Sequence, residues 1–121
     1  MTISELVGKT LTEVRGAVGE ERITFVCHDG SEYAMFHTQD CCESVSVEDI
    51  AGDFSDLIGT PIVDADERSD DTDPEGVKKE YEDESFTWTF YRLSTIKGTV
   101  VIRWYGSSNG YYSESVDFEK M

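Results

Sequence analysis

The chain has 121 residues, and 26 Asp and Glu residues against 10 Lys and Arg residues give it a formal net charge of −16. This length is typical of one domain, and it is sufficient to bury a core without stabilising metal ions or disulfides. The charge disfavours direct binding to DNA, RNA or anionic membranes, and it favours a positively charged protein as the partner. We therefore expect a single domain, residues 1–121, that needs no cofactor.

The hydropathy and the cysteines indicate a cytoplasmic protein. No stretch approaches the roughly 18 consecutive apolar residues of a membrane span, and the N-terminus lacks the basic and apolar regions of a signal peptide. The cysteine count is odd, and two of the three are adjacent, where ordinary disulfide geometry is strained. Reduced thiols are therefore expected, as in a reducing compartment.

The first part of the chain predicts a short helix and a hairpin. Residues 3–8 can form a helical turn that Gly8 ends. Apolar and polar residues alternate over 21–28 and again over 31–38, and the Asp29-Gly30 pair between them strongly favours a tight turn. These two segments are predicted to pair as antiparallel strands.

A further strand and a second helical turn are predicted next. Residues 43–50 alternate through Val45 and Val47, which is typical of a half-buried strand. Residues 53–59 then fit one helical turn that Asp53 caps and Gly59 ends.

An unusually acidic stretch follows. Residues 64–84 hold 11 acidic and 3 basic side chains, which is half of the net charge in about a sixth of the chain. Few of its residues are apolar, so a solvated acidic loop is predicted at about residues 66–84. The segment from Asp71 to Glu82 also has the ligand spacing of a calcium-binding loop, but no amphipathic helix flanks it.

The C-terminal third predicts three strands, at residues 86–91, 99–105 and 111–118, joined by turns at Lys97-Gly98 and Asn109-Gly110. Consecutive strands with short turns indicate a C-terminal three-stranded meander. The predicted fold class is therefore α+β and β-rich: mainly an antiparallel sheet of hairpins and this meander, with one or two short helices.

Two groups of side chains could carry a function. His37, Cys41 and Cys42 supply soft metal ligands within six residues, but adjacent cysteines cannot easily direct both sulfurs at one zinc ion. Ordinary burial explains these residues as well, and no oxyanion hole accompanies them, so we assign neither a metal site nor a catalytic residue. Tyr105 and Tyr112 lie near a polar turn, where exposed aromatic side chains often anchor protein interfaces.

Three segments, residues 37–45, 56–62 and 102–114, give the chain a resemblance to a family of small bacteriophage proteins of unknown function. The resemblance extends over most of the chain, and the acidic stretch is its least typical part. It implies a phage protein that is expressed in the host bacterial cytoplasm, and it favours interference with host machinery or host defence.

The leading functional hypothesis is an inhibitor that mimics nucleic acid. Its carboxylates would occupy a basic groove of a host nucleic-acid-processing or defence protein, as in anti-CRISPR proteins, and it would bind neither nucleic acid nor membrane directly. Carboxylates of Asp53, Asp56, Glu114 and Asp117 would add to the mimicry. The predicted partner-binding residues are Asp70, Asp71, Asp73, Glu75, Glu80, Glu82, Asp83, Glu84, Tyr105 and Tyr112.

Two other classes of function stay open. A small-molecule or nucleotide-signal binding protein would use the aromatic turn to stack a base, although the shortage of Lys and Arg disfavours phosphorylated ligands. A metal-binding module would use the segment from His37 to Glu43.

Overall fold

The computed structural model describes residues 2–39, 42–70, 85–109 and 113–121, which form eight strands in two antiparallel four-stranded sheets. The helical segments in this part of the chain are two 3-10 helices, Ile3–Leu6 and Phe54–Leu57. Each is only four residues long, too short for the repeated i to i−4 hydrogen bonds of an α-helix. The prediction of a β-rich fold is confirmed, whereas the described residues contain only these 3-10 helices in support of the α+β label.

The first sheet has the order β1-β2-β3-β8. Its strands are β1 (Leu11–Arg15), β2 (Arg22–Cys27), β3 (Glu32–Phe36) and β8 (Asp117–Lys120). The predicted hairpin is β2–β3: Asp29 Oδ1 accepts hydrogen bonds from the Ser31 amide (2.9 Å) and the Ser31 hydroxyl (2.5 Å). Gly30 adopts a φ of 89°, which glycine tolerates without strain.

The second sheet has the order β4-β7-β6-β5. Its strands are β4 (Ser44–Ala51), β5 (Asp64–Asp70), β6 (Ser85–Thr95) and β7 (Gly98–Ser108). The start of the predicted acidic loop is therefore a strand, because residues 64–70 pair with β6 without a register shift. The rest of the predicted loop, residues 71–84, lies outside the described residues.

The predicted C-terminal meander is only partly correct. β6 and β7 form the expected hairpin, but β8 pairs with β3 in the other sheet, as in Met35 opposite Phe118. The second edge of β7 is taken by β4, whose Val47 lies opposite Trp104. Since β4 fills that edge, the C-terminal strand completes the first sheet instead.

The inner faces of both sheets contribute to one hydrophobic core. Trp104 is fully buried, and its indole N–H lies 3.2 Å from the Met35 sulfur of the opposite sheet. The rings of Tyr33 and Phe118 stack at 5.6 Å across the β3–β8 pair. Because alternate residues of a strand point to opposite faces, this packing directs the other set of side chains of β6 and β7 away from the core.

None of the described helices is long or apolar enough to cross a membrane.

Candidate functional site

The outer face of the second sheet carries rows of side chains that run across its four strands. The row at its centre consists of Asp70 on β5, Trp88 on β6, Tyr105 on β7 and Ser46 on β4, each opposite the next. We call this the tryptophan row. Side chains directly opposite each other in an antiparallel sheet are close enough to interact, so the pairing brings the ends of the row to one surface.

Aromatic rings pack tightly along this face. The ring centroids of Trp88 and Tyr105 are 4.6 Å apart, and Phe86 stacks on Tyr105 at 6.1 Å. Trp88 is only 3 % exposed although it points away from the core. This burial identifies the outer face as a second packed region of the protein.

The arginines of this face lie over the aromatic rings. The guanidinium of Arg68 is 4.9 Å from the Phe90 ring centroid, and that of Arg103 is 5.3 Å from the Trp88 ring. Arg103 also forms an ion pair with Glu48, with 2.5 Å between Nε and Oε2. Stacking and ion pairing together fix the position of the guanidinium, which reduces the entropy lost when it binds a further group.

Carboxylates follow one another along β5. Asp64, Asp66 and Asp70 share the outer face with Arg68, which lies between Asp66 and Asp70, and a two-residue step along a strand is about 6.7 Å. Arg92 of the neighbouring strand lies 2.9 Å from a carboxylate oxygen of both Asp64 and Asp66. The hydrogen bond to Asp66 is the main cause that raises the pKa of Arg92. One positive charge shared by two carboxylates leaves the pair negative.

The inner side of β5 holds a different carboxylate. The phenol of Tyr91 donates a hydrogen bond to Glu67 Oε1 at 2.8 Å, and Tyr91 is almost fully buried. Burial is the main cause that raises the pKa of the Tyr91 phenol, and the Glu67 carboxylate raises it further. Tyr91 therefore remains a neutral hydrogen-bond donor that holds the β5 carboxylate in place.

An open groove of about 550 Å³ lies beside these carboxylates. Its lining contains two guanidinium groups, an aromatic ring and two carboxylates; the residues are Asp66, Glu67, Arg68, Phe90, Arg92 and Val101. Such a lining offers both charges and a stacking surface to a ligand.

The model of the domain of unknown function DUF7448 matches residues 4–118, which is nearly the whole chain. The chain belongs to the DUF7448 family. No curated protein and no solved structure matches this chain.

Two of the predicted partner-binding residues of this DUF7448 domain are described, and they lie on the same face. Asp70 and Tyr105 are 35 positions apart in the sequence, yet both lie opposite Trp88 in the tryptophan row. The other predicted partner-binding residues and the calcium-like spacing lie outside the described residues; they are Asp71, Asp73, Glu75, Glu80, Glu82, Asp83, Glu84 and Tyr112.

Three further acids that were expected to mimic phosphates form hydrogen bonds within the DUF7448 fold. Glu114 accepts hydrogen bonds from the hydroxyls of Thr87 (2.8 Å) and Ser108 (2.5 Å). Asp117 accepts one from the Thr38 hydroxyl at 2.6 Å, and Asp53 caps the second 3-10 helix. The backbone amide of Ser55 is the main cause that lowers the pKa of Asp53. These hydrogen bonds give each of the three acids a structural role within the fold.

The metal candidates have a structural arrangement as well. The buried His37 ring donates from Nδ1 to the carbonyl oxygen of Ser115 at 2.7 Å, and its Nε2 lies 3.7 Å from Glu43 Oε1. Cys42 is disulfide-bonded, which corrects the expectation of a reduced thiol at this position, whereas Cys27 is free and buried. A disulfide sulfur lacks the thiolate charge that binds zinc. Cys41 is outside the described residues. Within the described ranges, no group of His, Cys, Asp and Glu side chains could hold a metal ion.

Sequence reasoning did not select the arginines and the tryptophan of the outer face. Three of the five arginines of this domain, Arg68, Arg92 and Arg103, lie there. The alternation along β7 puts Arg103 and Tyr105 on one face of that strand. The signal that was missing is the pairing of β5 with β6, since only this pairing adds Arg68 and the β5 carboxylates to the same surface.

Proposed function

We propose that this protein inhibits another protein by binding its basic surface with carboxylates in place of nucleic acid phosphates. The partner is a nucleic-acid-processing or defence protein, and the binding residues are the acids of β5, those of residues 71–84, and Tyr105. Resemblance to bacteriophage proteins further supports a phage-encoded inhibitor that acts in the host bacterial cytoplasm, in the manner of anti-CRISPR proteins.

The run of carboxylates along β5 carries this proposal. The described acids are distributed over both sheets, but their densest run is β5, where four acids accompany one arginine. The sequence continues from Asp70 into residues 71–84, which add seven acids and two lysines. Negative charge concentrated along one strand replaces the counterions that a Lys- and Arg-lined groove would otherwise bind, so it competes with a nucleic acid strand.

The tryptophan row supports a role for Tyr105 at the border of the acidic surface. Tyr105 is partly exposed and packs against Trp88 and Phe86, so its ring is fixed before binding. A rigid aromatic side chain loses little entropy in an interface, and tyrosines are enriched among residues that dominate binding.

The test uses the bacterial proteins that heparin retains, because heparin selects basic grooves. This fraction is passed over the immobilised protein at about 50 mM salt, and bound proteins are eluted with duplex DNA or at about 200 mM salt. We expect retained proteins that both DNA and salt release. Proteins released by salt but not by DNA would show that the acidic surface does not occupy a nucleic acid site, and an empty eluate would contradict the proposal altogether.

Two matched variants locate the binding surface. The first replaces Asp64, Asp66 and Asp70 with asparagine. The control replaces Glu13 of β1 and Glu20 and Glu21 of the connection from β1 to β2 with glutamine, which changes the net charge equally. We expect the β5 variant to lose binding and the control to retain it. Equal losses would show that the overall charge acts without a defined site.

A second candidate function is the binding of a small anionic ligand with a planar ring, such as a nucleotide signal. The observation that favours it is the groove, in which Arg68 and Arg92 flank the ring of Phe90. Calorimetric titration with nucleotides tests it, with Phe90→Ala as the variant that removes the stacking ring. Binding that survives this substitution would place the nucleotide elsewhere.

A further inference from the structure

Strand β5 is an edge of the second sheet, and no described residue forms a backbone hydrogen bond to its second side. In the sheet order it pairs only with β6, and the register runs from Asp64 to Asp70 without a bulge. The first 3-10 helix packs beside β5, but no backbone hydrogen bond joins the two. An antiparallel edge strand directs about half of its backbone N–H and C=O groups away from its partner, where they can pair with another chain.

The other three edges in the described part of the chain are shorter, irregular or covered. β4 contains a register shift, and its Val47 exchanges backbone hydrogen bonds with Gly19 and Glu20. β1 also has a register shift, and its first residue, Leu11, accepts a hydrogen bond from the Gly59 amide. β8 is only four residues long. Among the described strands, β5 is thus the longest regular edge to which no described residue forms a backbone hydrogen bond.

The charge of this edge selects its occupant. Two copies of β5 paired with each other would place carboxylates near carboxylates, because each copy has four acids and one arginine. Like charges on opposing strands are destabilising, whereas opposite charges stabilise the pair. An extended segment with Lys or Arg at alternate positions would place its cations on the face that carries Asp64, Asp66 and Asp70.

We propose that β5 binds an extended basic segment of the partner protein as a fifth strand of the second sheet. This inference rests on the proposed function, and it names how the partner binds: backbone hydrogen bonds hold the segment, and the carboxylates select its positive side chains. This mode of recognition is known as β-strand addition.

The probe is a synthetic peptide of about ten residues, long enough to span β5, in which lysine and threonine alternate in equal numbers. Two methylated versions of this peptide, which are isomers of each other, are also made. One carries a methyl group on the backbone nitrogen of every lysine, and the other carries it on the backbone nitrogen of every threonine. In a strand, alternate amides point to the same side, so methylation of one set removes the hydrogen bonds to β5 and methylation of the other set does not. Both isomers keep the charge of the unmodified peptide.

Binding is followed by ¹⁵N NMR of the full chain. We expect the unmodified peptide and one isomer to shift the β5 amide signals, and the other isomer to bind at least about tenfold more weakly. Asp64→Asn combined with Asp66→Asn should weaken all binding, whereas Glu20→Gln combined with Glu21→Gln should not. Equal binding by all three peptides, or no shift of the β5 signals, would overturn the inference.

The result is distinguishable from failure of the proposed function. One outcome is that the three peptides bind equally and that the β5 substitutions abolish this binding. It would support binding of cations by β5 and contradict only strand addition. Discrimination between the isomers without DNA-displaceable capture of heparin-binding proteins would support strand addition and contradict the inhibitor function.

Discussion

Trp88 on β6 and Tyr105 on β7 are opposite each other on the outer face of the second sheet, with their ring centroids 4.6 Å apart and their planes inclined by 56°. Arg103 lies over the same indole at 5.3 Å. The pair is therefore a packed unit on a face that the alternation of the strands directs away from the core. It links the stability of β6 and β7 to the surface on which the β5 carboxylates lie.

Replacing Trp88 with alanine should destabilise the protein by about 3 kcal/mol or more, because large buried aromatic side chains lose that much on truncation. Urea unfolding followed by circular dichroism measures the change. Ile96→Ala is the control, since Ile96 is 82 % exposed and its truncation should change the free energy of unfolding by less than about 0.5 kcal/mol. Similar small effects of both substitutions would contradict the packing of the outer face.

Tyr91 should make the protein sensitive to alkaline pH. Its pKa is raised in the folded state, so the protonated phenol stabilises the fold fully below its unfolded pKa of about 10, and this contribution is lost as pH rises above that value. Tyr91→Phe should lower the free energy of unfolding at neutral pH by about 1 kcal/mol through the lost hydrogen bond to Glu67. The variant should also lose less stability than the parent between neutral pH and pH 11, which denaturant titrations at both values would measure. An identical alkaline loss in both proteins would assign it to another group.

Asp29 should titrate unusually low for an aspartate. Hydrogen bonds from the side chain and the backbone of Ser31 are the main causes that lower its pKa to about 2, and the ammonium of Lys9 contributes to this shift. The stabilisation is present above the usual aspartate pKa and is lost as pH falls toward about 2. Carboxyl NMR titration should give a midpoint near 2, and Ser31→Ala should move it up toward the usual range. An unchanged midpoint in Ser31→Ala would exclude these hydrogen bonds as the cause.

Gly106→Ala should destabilise the fold, because β7 is approached closely at this point. A Cβ at Gly106 would lie 2.7 Å from the carbonyl oxygen of Glu114, which is backbone and cannot move independently. Overpacking of this kind typically costs about 1 to 3 kcal/mol. Gly8→Ala is an informative comparison, since no atom of the described residues lies within 4 Å of a Cβ there and the substitution is opposed by the strain of the positive φ. Thermal unfolding measures the loss of stability in both variants. The NMR signals of residues 113–116 should shift in Gly106→Ala alone, because only this substitution disturbs the C-terminal packing.

The sequence predicted the elements whose cause is local. The β2–β3 hairpin follows from the alternation on both sides of Asp29 and from the tight turn that this aspartate stabilises with Ser31. Likewise, Asp53 caps its helix by accepting a hydrogen bond from the backbone amide of Ser55, only two positions away. Interactions between near neighbours in the chain need no knowledge of the rest of the fold.

Strand β5 was not predicted because its own residues give a weak signal. Of its seven side chains only Ala65 is buried, so the alternation that marks a strand is almost absent. Its conformation comes from the pairing with β6, as in Arg68 opposite Phe90, and that partner lies beyond residues 71–84. For the same reason the sequence marked the acidic character of Asp70 but not its place in the tryptophan row.

By itself the sequence determined the acidity, the β-rich composition and the face on which each side chain of a well-formed strand lies, because charge and period-two alternation are properties of the chain. Only the tertiary structure decided that β8 completes the sheet of β3 while β4 takes the edge of β7, and that Asp70 and Tyr105 meet across Trp88. The physical reason is that segments far apart in the chain compete for the same backbone hydrogen bonds. The pairing that forms is the one that best buries Trp104 and its neighbours.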